Sequence, residues 1–115
     1  MNQPATADGN KQRIQEALAH HQAGRLDEAS AIYQDLLEAN PDDFNALQLM
    51  GLIHAAKNQP DKASDCMERS LALNPNQPAV HNNLATLRFR QGNYSEAIAH
   101  FASAIQQKPD YLQPA

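Results

Sequence analysis

Tryptophan is absent from this chain, cysteine occurs once and glycine only four times. A single thiol, Cys66, allows no intrachain disulfide, so any core must be held by burial, and a reducing compartment is the natural setting. No apolar run approaches the ~20 residues that a membrane-spanning helix needs. The opening MNQPATADGNKQ has neither the basic start nor the apolar stretch of a secretion signal. These absences lead us to expect a cytoplasmic protein with no membrane partner. A basic stripe is missing too: the net charge of −4 argues against a nucleic-acid partner, whose binding depends on displacing counterions from phosphate. The chain contains no glycine-rich phosphate loop and no GxSxG, HExxH or CxxC. We therefore expect no enzyme, no cofactor and no metal.

What is present suits a folded domain. A chain of 115 residues has room for one domain, and 42% hydrophobic against 19% charged residues is too apolar for a disordered tail. Alanine, leucine and glutamine are plentiful, which leans helical. The charge is uneven. Residues 10–43 sum to −4, residues 44–77 balance and residues 78–111 come to +1. The acidic first third reads either as a solvated helix face or as an acidic docking patch.

The chain also repeats itself. GRLDEASAIYQDLLEANPD starts at Gly24, NQPDKASDCMERSLALNPN at Asn58 and GNYSEAIAHFASAIQQKPD at Gly92, so both spacings are 34 residues. Divided into 10–43, 44–77 and 78–111, each unit shows helical spacing twice. The first halves carry Ile14, Ala17 and Leu18; Leu47, Met50 and Gly51; and Val80, Leu84, Ala85 and Leu87. The second halves carry Ala29, Ile32, Tyr33, Leu36 and Leu37; Ala63, Met67 and Leu71; and Ala97, Ile98, Phe101, Ala104 and Ile105. The alternation of a strand appears nowhere, and six helices of about 13–15 residues follow.

The punctuation fits the same plan. Gly24, Asn58 and Gly92 stand between the two helices of each unit, where a left-handed residue ends a helix and asparagine is the usual substitute for glycine. Asp27, Asp61 and Ser95 come next, where a side-chain oxygen can cap free N–H groups. Pro60 fits a first-turn position. Pro41, Pro75 and Pro109 close the units and stop the second helix from running on.

These residues resemble three tandem tetratricopeptide repeats covering residues 10–111. That family has a small residue midway along its first helix, here Ala17, Gly51 and Ala85. It opens the second helix with alanine, here Ala29, Ala63 and Ala97, and places an aromatic four residues later, here Tyr33, Met67 and Phe101. The three prolines complete the pattern. The departures are Arg13, Leu47 and His81 where a large early residue is expected, and His20, His54 and Arg88 where tyrosine is expected. The resemblance implies an all-α solenoid of three helix-turn-helix units wound into a right-handed superhelix. Residues 1–9 are then expected to form a disordered tail, and residues 112–115 the start of a following helix.

By the same resemblance the first helices line a concave groove that takes a peptide or a helical segment of a partner protein. The residues placed there are Lys11, Ile14, Leu18 and Gln22, then Asn45, Gln48 and Leu52, then Asn82, Thr86, Phe89 and Arg90. Apolar side chains would form anchor pockets, and amides, which both donate and accept, would grip a peptide backbone. One family use is excluded on residues. The clamp for a chaperone's C-terminal carboxylate needs lysine, arginine and asparagine where this chain has Ile14, Leu18, Leu49, Ala79 and Asn83, so a carboxylate there would be desolvated without a cation.

The remaining chemistry-bearing residues read as structural. His20 and His54 are equivalent positions in successive units, but a zinc site needs three or four convergent ligands and nothing is spaced to complete one. Cys66 has no paired base, and His100 with Glu96 reads as support within one helix. After Pro109 the register enters a fourth first helix that breaks off. This leaves Leu87, Ile98, Ile105 and Tyr111 expected to be partly uncovered, either because the chain continues in a longer protein or because the end pairs with a copy of itself. Two alternatives to a stand-alone binding module stay open: the recruiting front end of a larger bacterial enzyme (a glycosyltransferase, sulfotransferase or methyltransferase), and a self-assembling scaffold. The segment His81-Asn82-Asn83-Leu84-Ala85 is similar to the asparagine-bearing segment of O-linked N-acetylglucosamine transferase, although only Asn83 would join such a series.

Overall fold

A computed structural model describes residues 7–108. Six helices follow in order: α1 Ala7–Gln22, α2 Leu26–Ala39, α3 Phe44–Ala56, α4 Pro60–Leu73, α5 Pro78–Arg90 and α6 Tyr94–Gln107. Among the described residues there is no strand. α1 begins at Ala7, so residues 7–9, expected as part of a tail, are helical. The expectations for residues 1–6, Pro109, Tyr111 and residues 112–115 lie outside the described residues.

Links within a unit are three residues long (23–25, 57–59 and 91–93), and links between units are four (40–43 and 74–77). The short links have one geometry. Gly24 and Gly92 have φ +82° and Asn58 has φ +60°, the left-handed conformation expected of them. The next residue donates its N–H to the carbonyl five back, Arg25 to His20, Gln59 to His54 and Asn93 to Arg88, each at 2.8 Å. The left-handed residue itself donates three back at 3.0 Å, to His21, Ala55 and Phe89. Together these satisfy carbonyls that the ending helix leaves free.

That geometry corrects one expectation. Arg25, Gln59 and Asn93 are the residues that precede the second helices, and none makes a side-chain cap. Asp27, Asp61 and Ser95 fall one position past the first helical residue, so they are not caps. Two of them reach across to the following unit instead. Asp27 pairs with Lys57 at 2.6 Å, and Asp61 accepts from Gln91 at 3.4 Å. Both partners sit in the next unit's turn, so the tie recurs with the repeat. A true cap occurs where none was expected: the Asp43 carboxylate accepts from the Ala46 N–H at 3.1 Å and starts α3. Pro60 and Pro78 both take first-turn positions.

Each helix packs on the next in sequence, giving an elongated stack of 50 × 28 × 27 Å. The small residues explain the close approach. A Cβ on Gly51 would lie 3.0 Å from the Met67 side chain and 3.2 Å from the Ala63 carbonyl oxygen. Ala17, Ala29, Ala63, Ala85 and Ala97 are all buried. The core forms two clusters along the stack. The first gathers Tyr33, Leu36, Leu49, Met50 and Ile53, and the second gathers Met67, Leu71, Val80, Leu84 and Leu87. Leu52 packs against both. Of the recurring large residues, Tyr33 and Met67 are fully buried, whereas Phe101 is half-buried on the last helix.

Candidate functional site

Of the hollows between the first helices, two hold most of the expected groove residues. The larger, of about 750 Å³, lies between α1 and α3 and is closed at one end by the 40–43 link. It brings together five of the eleven expected groove residues: Lys11, Ile14, Leu18, Asn45 and Gln48. Leu49, Phe44, Asn10, Gln15, Asn40, Asp42 and Asp43 also line it. These seven come from α1, α3 and the link, and the family resemblance did not place them in the groove. The smaller hollow, of about 150 Å³, lies between α3 and α5 and contains Leu52, Thr86 and Arg90 with Asn83 and Leu87.

Gln22, Asn82 and Phe89 line neither hollow. Phe89 is 57% exposed and meets Tyr94 edge to face, with centroids 5.2 Å apart. It therefore stands towards α6 at the rim. Thr86 donates its hydroxyl to the Asn82 carbonyl at 3.0 Å, a bond within α5.

Chemically, the larger hollow has an apolar floor (Ile14, Leu18 and Leu49) edged by amides (Asn10, Gln15, Asn45 and Gln48). Lys11, Asp42 and Asp43 complete the charged part of the lining. Such a surface pairs apolar anchoring with backbone hydrogen bonding. Cys66 is buried, and burial pushes its thiol pKa up, the reverse of what a nucleophile needs. Among the described residues no group of three or more His, Cys, Asp or Glu converges on a metal position. No helix among them is long and apolar enough to cross a membrane.

The histidines are tied into local structure. His20 Nδ1 accepts from Arg25 Nε at 2.9 Å, and His54 Nδ1 donates to Gln59 Oε1 at 3.0 Å, so each rivets the turn that follows it. Arg88, at the equivalent position, makes ion pairs with Glu68 and Glu96 and donates to Gln91 at 3.1 Å. Sequence spacing gave no hint of a further pair, His81 with His100, which lie 19 residues apart on neighbouring helices.

Comparison with known proteins agrees with this architecture. A family model described as tetratricopeptide repeat matches residues 50–113, and a second of the same description matches residues 11–52. Superkiller complex protein 3 of Mus musculus is 29% identical over 99 residues, which take in 86% of this chain but 6% of that one. Photosystem I assembly protein Ycf3 of Rippkaea orientalis is 26% identical, across 86% of this chain and 71% of its own. Among solved structures, an O-GlcNAc transferase mutant of Thermobaculum terrenum superposes with a TM-score of 0.88 at 25% identity, covering 96% of this chain and 21% of that one. The Yersinia enterocolitica secretion chaperone SycD, in complex with a peptide of the translocator YopD, gives 0.82 at 18% identity over 94% and 82%. The first such domain of Spaghetti (RPAP3), bound to the HSP90 peptide SRMEEVD, gives 0.85 at 14% over 96% and 88%.

Proposed function

We propose a peptide-binding role for this chain, which belongs to the tetratricopeptide-repeat family. Its ligand is an extended or helical segment of another polypeptide, seated between the first helices. The observation that carries this reading is the 750 Å³ hollow with its apolar floor and amide edge. The two fold-neighbours with bound peptides support it at the level of architecture. The acidic HSP90 tail is not the ligand we propose, because the places of the family's carboxylate clamp hold Ile14, Leu18, Leu49, Ala79 and Asn83. We keep the role non-catalytic and the setting cytoplasmic as parts of the same proposal.

The test is selection of a random peptide library on immobilised protein, followed by titration of the enriched peptides. Asn45→Ala with Gln48→Ala should weaken binding by at least about tenfold, since each lost amide leaves backbone groups of the ligand unpaired. The melting temperature should stay the same. Equal binding by wild type and double variant would exclude this hollow.

A second reading, self-assembly through α6, rests on a specific contrast. In units one and two the position of Ile98 is held by Ser30 and Ser64, and both contact the following unit: Ser30 donates to Met50 Sδ at 3.6 Å, and Ser64 accepts from Arg88 at 3.4 Å. Ile98 is 67% exposed, and Tyr94 and Ile105 on the same helix are exposed too. An uncharged face of this kind suits a second copy, and one SycD structure is described as an alternative dimer. Light scattering that gives a monomer at high concentration would remove that reading. The transferase likeness supports a third role, recruitment for a larger enzyme.

A further inference from the structure

His81 on α5 and His100 on α6 meet Nδ1 to Nδ1 at 3.1 Å, their ring centroids 5.3 Å apart. The other nitrogen of His81 settles where the protons lie. His81 Nε2 stands 3.0 Å from the Pro75 carbonyl oxygen, which can only accept, so Nε2 carries the hydrogen. A neutral imidazole has one N–H, which leaves His81 Nδ1 a bare lone pair. His100 must then supply the hydrogen of the pair from its own Nδ1. The Pro75 carbonyl takes a second bond from Gln107 Nε2 at 2.9 Å. The relay His100 to His81 to Pro75, with Gln107 closing it, fastens the 74–77 link to α5 and to the second half of α6.

We propose that the His81–His100 pair is an acid-sensitive latch on the third unit, closed while the imidazoles are neutral and opened when the pair takes up a second proton. One proton can be stored on His100 Nε2 without breaking the bond. The next has only His81 Nδ1 to go to, because His81 Nε2 is already protonated. That removes the acceptor and sets two cationic N–H groups against each other at 3.1 Å.

The surroundings set the pH window. Glu68 of α4 and Glu96 of α6 favour a charged His100, whereas Arg88 of α5 and the neighbouring His81 oppose it. Burial opposes it most, and the His100 pKa is held below the ordinary histidine value. The folded state therefore binds fewer protons than the unfolded one. Its neutral-form stability is fully present above the unfolded pKa of about 6.5 and is lost as the pH falls below it, by at most tenfold in the folding constant per pH unit for each proton. Because α5 carries Thr86 and Arg90, which line the smaller hollow, the latch holds that hollow's third-unit wall.

Thermal melts of the untagged protein between pH 7.5 and pH 5.0, beside those of His100→Asn, test the latch. The asparagine amide occupies the place of Nδ1 and can donate, but it does not titrate. The wild type should lose stability more steeply on acidification than His100→Asn, with amide signals of α5 and α6 changing before those of α1 to α3. Parallel curves would overturn the proposal. Imidazole nitrogen spectra of the wild type alone give a second test, since they should show His81 protonated at Nε2 and His100 at Nδ1 at pH 7.5. The opposite tautomers would overturn it without any variant.

Discussion

Tyr33→Phe should make this protein more stable. The Tyr33 side chain is 0% exposed in the first core cluster, and its hydroxyl is buried with no hydrogen-bond partner. The same burial raises its phenol pKa, as expected where the charged form has no solvent. An unsatisfied buried hydroxyl costs about 1–3 kcal/mol of desolvation. Deleting the oxygen forfeits a few contacts worth about 0.1–0.2 kcal/mol each, which offsets only part of that gain. A net increase of about 1 kcal/mol follows, or about 4 °C in melting temperature for a domain of this size. The repeat supplies an internal precedent, because the equivalent residue in the third unit is Phe101. Urea denaturation with an unchanged slope, combined with a thermal melt, measures the effect. A loss of more than about 0.5 kcal/mol would mean that the hydroxyl has a partner in solution, and the reasoning from burial would be refuted.

The three turns give a matched set. Gly24→Ala and Gly92→Ala should each cost about 1–2 kcal/mol because φ is +82° at both, while Asn58→Gly should be neutral or slightly stabilising by chemical denaturation. Cys66, 9% exposed with a raised pKa, should react with a thiol reagent only as fast as the protein opens, and stoichiometric labelling within seconds in native buffer would contradict its burial. Asp27 has its pKa lowered by the hydrogen bond and charge of Lys57. Its contribution is thus present above the unfolded value and lost as the pH falls through the lowered one. Asp27→Asn should flatten stability slightly in that acid window. The difference should vanish in high salt, because the pair is exposed.

Much of the fold is legible in the sequence because a solenoid's rules are local and recur. The left-handed turns were readable from Gly24, Asn58 and Gly92 because few other residues tolerate that φ. The helices were readable because each buries one stripe against a neighbour in sequence. The capping assignment failed for a physical reason: a three-residue link makes Arg25, Gln59 and Asn93 serve two helices at once. That left Asp27 and Asp61 free to reach the next unit, a contact across 30 residues that periodicity does not encode. The lining of the hollows was only partly legible. The family resemblance, not periodicity, named the groove residues; of these Ile14, Leu18 and Gln48 line the larger hollow, while the Phe89 ring meets Tyr94. Leu49, Asp42 and Asp43 escaped it because their part in the hollow depends on how two units meet. The His81–His100 pair has no sequence signature at all, since only the packing of α5 on α6 aligns those rings.

Leu52 touches both core clusters and also faces the smaller hollow. In a chain whose stability is a sum over neighbouring interfaces, a residue shared by two interfaces decides whether the halves melt as one or in turn. A ligand resting on Leu52 would press on both halves together. Occupancy would then register as sharper cooperativity along the whole stack, and a guest seated at one end would be felt at the other.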